Sequence, residues 1–78
     1  MEGFVVKALR MNLGLSQSEF ANEIGVTQQA ISAIEKGVRP VTKRIENRII
    51  YRFNIKKEEI ETIRKFMNLR RSDDENSN

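Results

Sequence analysis

Apolar positions recur at three and four residues along most of this 78-residue chain, the period of amphipathic helices rather than of strands. Val5, Ala8 and Leu9, with Phe4 before them, predict the inner face of a first helix over residues 2–12, which Leu13-Gly14-Leu15 breaks. Ser16 and Glu19 have the spacing of a capping box, so a second helix is expected from Gln17 to Ile24, with Phe20, Ala21 and Ile24 inward. Gly25 stands where a tight turn needs positive φ, and Val26 follows to be buried beneath it. Thr27 is placed to cap a third helix that starts at Gln28, turns Ile31 and Ile34 inward and ends at Gly37. Beyond Pro40, Thr42 caps a fourth helix with Ile45, Ile49 and Phe53 on one face, and Asn54 is suited to stop it in the left-handed conformation. Ile60, Ile63 and Met67, with Phe66 and Leu69 alongside, predict a fifth helix from Lys57 to Leu69. Residues 70–78 are polar and read as a frayed tail. The expectation is an all-α chain with one domain over residues 1–69.

Composition narrows what such a domain can do. A chain this short buries only about 60% of the surface its unfolded form exposes, enough for one modest core and no deep cleft. It has no His and no Cys, so zinc sites of the usual ligand types, disulfides, thiolate nucleophiles and imidazole bases are all excluded. The carboxylates of Glu58, Glu59 and Glu61 sit beside Lys56 and Lys57 on a solvated helix and suggest no pocket, so no enzyme is expected. No cofactor, metal or small-molecule ligand is implied. The longest aliphatic or aromatic runs, Phe4-Val5-Val6 and Ile49-Ile50-Tyr51, are too short for a signal-peptide core or a membrane span. A cytoplasmic protein with no membrane partner is the expectation.

Charge adds a direction. The formal net charge is only +3, but it is unevenly placed. Residues 1–35 carry two basic and four acidic groups, residues 36–57 carry eight basic groups against Glu46 alone, and the remainder carries four against six. A cationic band therefore directly follows the third predicted helix, which suits a polyanionic partner.

The most constraining stretch is Gln17 to Lys36, QSEFANEIGVTQQAISAIEK. Ala21 is small where the next helix must cross closely, Gly25 lies in the turn, Val26 follows, and Ile31 and Ile34 pack the second helix. This pattern resembles the helix-turn-helix of the phage Cro and repressor family, over residues 4–69 and most strongly from Leu9 to Gly37. The resemblance implies a compact five-helix, lambda-repressor-like domain that lays its third helix in the major groove of double-stranded DNA. The N-terminal residues of that helix, Gln28 and Gln29, would then touch base edges, and a glutamine amide matches adenine N6 and N7 in a bidentate pair. Ser32 shares the outward face, and Ala33 would pack on a thymine methyl. A merely solvated polar face is the alternative for Gln28, Gln29 and Ser32.

Gln17, at a helix N-terminus, and Thr27, Lys36, Arg39, Lys43 and Arg44, around the third helix and the start of the fourth, are the expected contacts to the sugar-phosphate backbone. Arg39 is also a candidate for a minor groove. Arg48 and Arg52 continue the line from Arg44, but a straight helix soon leaves a curved duplex. Solvation or pairing with Glu58, Glu59 or Glu61 is the expectation for Arg52. By the same resemblance, Arg10 and Glu35 form a structural ion pair between the first and third helices.

Relatives of this type bind as two-fold dimers, implying a homodimer on a palindromic operator and a repressor of transcription in a prokaryote or phage. The chain departs from the family in having Ile50 beside the core of the fourth helix and Asn54 where Gly is usual. Ile50, Tyr51, Phe53, Phe66, Met67 and Leu69 exceed what a five-helix core needs, and are candidates for self-association. The competing reading is an antitoxin-like module that holds a partner protein through helices 4 and 5 while regulating its own operon.

Overall fold

The computed structural model describes the backbone through Asn76 and side chains through Asn68. Among the described residues the elements are five helices and no strand: α1 (Gly3–Asn12), α2 (Gln17–Ile24), α3 (Gln28–Glu35), α4 (Lys43–Phe53) and α5 (Lys57–Asn76). The starts of α2, α3 and α4 follow the predicted caps. The Ser16 hydroxyl accepts from the Glu19 amide at 3.0 Å while the Ser16 amide donates to the Glu19 carboxylate at 2.8 Å, closing the capping box. Thr27 accepts from the Ala30 amide at 3.1 Å and Thr42 from the Ile45 amide at 3.2 Å. Gly25 ends α2 at φ 72°, and Asn54 ends α4 at φ 52°, a backbone that asparagine tolerates better than most side chains. These local hydrogen bonds satisfy groups that every helix end otherwise leaves open.

Packing follows from the inward stripes. Phe20, Ile31, Ile34, Ile49, Val5 and Val6 are the largest fully buried side chains, contributed by α1 to α4. Val6, which the helical spacing left unassigned, is fully buried because α1 lies between α3 and α5 and must bury two sides. Ala30 is likewise buried beside Ile31 on α3. Phe20 of α2 and Phe53 of α4 stack at 5.3 Å between centroids. Gly3 sets how closely α1 meets α3: a Cβ there would stand 2.0 Å from the Ile34 carbonyl oxygen.

Several expectations change. The fifth helix runs to Asn76, past the predicted end at Leu69, because no Gly or Pro interrupts the chain there. The tail expected over residues 70–78 is thus helical as far as Asn76. Arg52 pairs with Glu23 on α2 rather than with a glutamate of α5, since the α2–α4 crossing brings those two together. Its guanidinium also lies 5.5 Å from the Phe53 ring centroid. Arg48 donates to the carbonyls of Ile24 and Gly25 at 3.3 and 3.4 Å, capping the C-terminus of α2. Ile50 and Phe53 are half-buried against the core, so they serve packing before any partner.

Charge ties the N-terminal residues to α4 and α5. Arg64 reaches Glu2 at 2.9 Å and Glu61 at 2.8 Å, and the Met1 ammonium pairs with Glu46. The two Arg64 pairs are well exposed and add little to stability individually, whereas the Met1–Glu46 pair is largely enclosed.

Candidate nucleic-acid interface

The turn at Gly25 and the Thr27 cap present α3 with Ala30, Ile31 and Ile34 inward, and with Gln28, Gln29, Ser32 and Ala33 on the opposite side. Those four residues, with Lys36 and Val38, line one shallow concavity of about 320 Å³. The residues expected to read bases are therefore brought to one surface. Gln29 is exposed, while Gln28, Ser32 and Ala33 are half-buried.

The half-burial of Gln28 has a specific cause. Its amide nitrogen donates to the Gln17 side-chain oxygen at 2.7 Å, and the Gln17 nitrogen in turn donates to Glu35 at 3.1 Å. Arg10 completes the chain with two hydrogen bonds to Glu35, at 2.7 and 3.0 Å, and a third to the Leu15 carbonyl at 2.8 Å. The expected ion pair is present and nearly enclosed, with the Glu35 side chain 4% exposed.

Polarity runs one way along this chain of contacts. An ionised carboxylate only accepts, so Glu35 turns the Gln17 NH₂ toward itself and the Gln17 oxygen toward Gln28. Gln28 must then offer an N–H to Gln17, which leaves its carbonyl oxygen and a second N–H for another partner. That is the donor–acceptor pair an adenine edge requires. Burial opposes ionisation of Glu35, but the hydrogen bonds from Arg10 and Gln17 and the nearby Arg10 and Lys7 charges outweigh it, holding its carboxyl below the ordinary value. Hydrogen bonding to Glu35 holds the Arg10 guanidinium above its own.

The cations divide into groups. Arg39, Thr42, Arg44 and Arg48 line a second concavity of about 530 Å³ with Gly25, Val26 and Ile45, next to the turn between α2 and α3. Lys36 lies on the α3 surface. Lys43, adjacent in sequence to Arg44, points along a different helix face, lining a groove with Ile55 and Ile60 and pairing with Glu46 at 3.1 Å. Gln17 is committed to Gln28 and Glu35 through its side chain, and its backbone amide is the first of α2, where the helix supplies no acceptor of its own. The Thr27 oxygen accepts from Ala30, and its O–H is still a donor. The Glu59 carboxylate accepts from the Lys56 amide, and Glu61 pairs with Arg64.

Of the apolar residues, Tyr51 is 91% and Phe66 60% exposed, Met67 is half-buried, and the Leu69 side chain lies outside the described residues. Met11, Ile63, Phe66 and Met67 line one groove between α1 and α5. Among the described residues no helix is long and apolar enough to cross a membrane.

Comparison with known proteins agrees with this geometry. A family model described as helix-turn-helix matches residues 6–49. An uncharacterized HTH-type transcriptional regulator of Bacillus subtilis (strain 168), YgzD, is 36% identical over 55 residues, covering 70% of this chain and 83% of the relative. No solved structure gives a significant match. The fold is all-α and lambda-repressor-like, and the chain belongs to the Cro/repressor-type helix-turn-helix family of DNA-binding transcriptional regulators.

Proposed function

We propose that the chain is a transcriptional repressor of a prokaryote or phage, acting in the cytoplasm as a homodimer on a palindromic operator. Helix α3 enters the major groove, Gln28 and Gln29 read base edges, and Ser32 and Ala33 complete the reading surface. Lys36, Arg39 and Arg44 grip phosphates, joined by Thr27 and the α2 N-terminus at Gln17. Lys43 is a peripheral contact. The observation that carries this reading is the Arg10–Glu35–Gln17–Gln28 chain, which orients one amide of α3 toward the outer surface. A solvated surface glutamine has no need of three supporting side chains.

Dimerisation supplies what one copy lacks, since a single recognition helix touches too few bases to specify a genomic site. Tyr51 and the groove holding Phe66 and Met67 favour a protein contact, with a second copy as the first candidate. An antitoxin-like partner is the competing occupant. Selection of bound duplexes from a random pool tests the whole reading. Enrichment of a palindrome with half-sites about one helical turn apart supports it; an absence of enrichment contradicts it, and co-purification of a second protein favours the competitor, which also binds an operator.

A further inference from the structure

We infer that Val38, outside the recognition helix, joins Ala33 in forming an apolar seat for the 5-methyl group of a thymine, and so helps determine specificity. This rests on the proposed major-groove placement of α3. Val38 is 79% exposed, although it lies between Lys36 and Arg39 in the most cationic part of the chain. Its position is nonetheless fixed. Gly37, at φ 77°, turns the chain back after α3, and the Val38 and Arg39 amides both donate to the Ala33 carbonyl, at 3.0 and 3.2 Å.

The loop is thereby folded over the C-terminal half of α3, and Val38 and Ala33 line the same concavity as Gln28, Gln29, Ser32 and Lys36. On that surface these two side chains are the wholly aliphatic ones. An exposed valine contributes almost nothing to the core, and its branched side chain has little rotamer freedom to lose on contact. The major-groove edge presents one apolar group, the thymine methyl, and it is the natural partner for such a seat.

Duplexes recovered from a random pool by the wild-type protein are remade with deoxyuridine replacing each thymine in turn, which removes only the methyl group. Binding is measured with the wild-type, Val38→Ala and Gln28→Ala proteins, alongside thermal unfolding. At one or more positions the replacement is expected to weaken wild-type binding about threefold to fivefold, the scale of one buried methyl. Val38→Ala should show a clearly smaller difference between the two forms of that position, the remainder belonging to Ala33, and unfold at the wild-type temperature. Methyl sensitivity that persists undiminished in Val38→Ala, or no sensitive thymine at all, overturns the inference. Should no duplex enrich, the DNA-reading proposal fails and this inference with it. Enrichment with altered base choice in Gln28→Ala but no effect of Val38→Ala removes Val38 alone.

Discussion

Gln28 of α3 donates to Gln17 of α2 at 2.7 Å, so the leading residue of the recognition helix is positioned by a side chain of the helix before it. The contact fixes which end of the Gln28 amide meets Gln17 and which groups are left to face outward. Gln17→Ala should therefore act through Gln28. Binding to the preferred site is expected to fall about threefold to tenfold, the worth of one hydrogen bond, with base preference broadened at the position Gln28 reads. Fluorescence anisotropy against single-base variants of a selected duplex checks this; a loss uniform across sequences would make Gln17 a phosphate contact only.

The Arg10–Glu35 pair supports that arrangement from inside. With Glu35 nearly enclosed, Arg10→Met or Glu35→Leu alone should each destabilise the fold by about 3 kcal/mol, because each leaves a largely buried charge without its counter-charge. The double variant should lose less than the sum of the two, as read by urea unfolding. The pair also carries a pH signature. Since the folded protein holds Glu35 below its ordinary value of 4.5, its stabilisation is fully present above that value and is lost as pH falls through the lowered one. Glu35→Gln should flatten this acid limb, leaving the remaining slope to Glu46, Glu2 and Glu19, whose carboxyls are also held low.

Gly3 tests the closeness of α1 to α3. Alanine would ordinarily favour a helix by about 0.5–1 kcal/mol over glycine. Here its methyl would meet the Ile34 carbonyl oxygen at 2.0 Å, so Gly3→Ala should be net destabilising by about 1–3 kcal/mol. An unchanged or raised melting temperature would contradict the close packing.

Arg44 and Arg48 should separate, although they lie one turn apart on α4. Arg44→Ala is expected to weaken all duplexes alike and to lower the salt slope by about one phosphate contact, with little change in stability. Arg48→Ala removes the donor to Ile24 and Gly25, so it should lower the unfolding midpoint. Salt-dependent binding and urea unfolding of the two variants distinguish the roles.

What was legible in the sequence was mostly local. Ser16 with Glu19, Thr27, Thr42 and Asn54 mark helix ends because each bonds to backbone a few residues away, and all behave as predicted. The α5 terminus was misplaced because its expected end at Leu69 rested on the thinning of apolar residues rather than on any breaker. Contacts set by helix crossings were illegible. Nothing in the spacing of Arg52 selects Glu23, and nothing in Gly3 announces Ile34, since both depend on how α2 meets α4 and α1 meets α3. The residues proposed to read bases fall between these cases: helical periodicity puts Gln28, Gln29, Ser32 and Ala33 on one face, but the link from Glu35 through Gln17 to Gln28 exists only in the folded chain.

In the proposed function, α3 reads bases through Gln28. The most direct test is the affinity of wild-type and Gln28→Ala proteins for a selected duplex and for each of its single-base variants at fixed salt. Gln28→Ala is expected to lose about 1–3 kcal/mol on the selected sequence and no longer to discriminate at one base pair, while preferences elsewhere persist. An equal loss on every duplex, with discrimination intact at all positions, would contradict this reading.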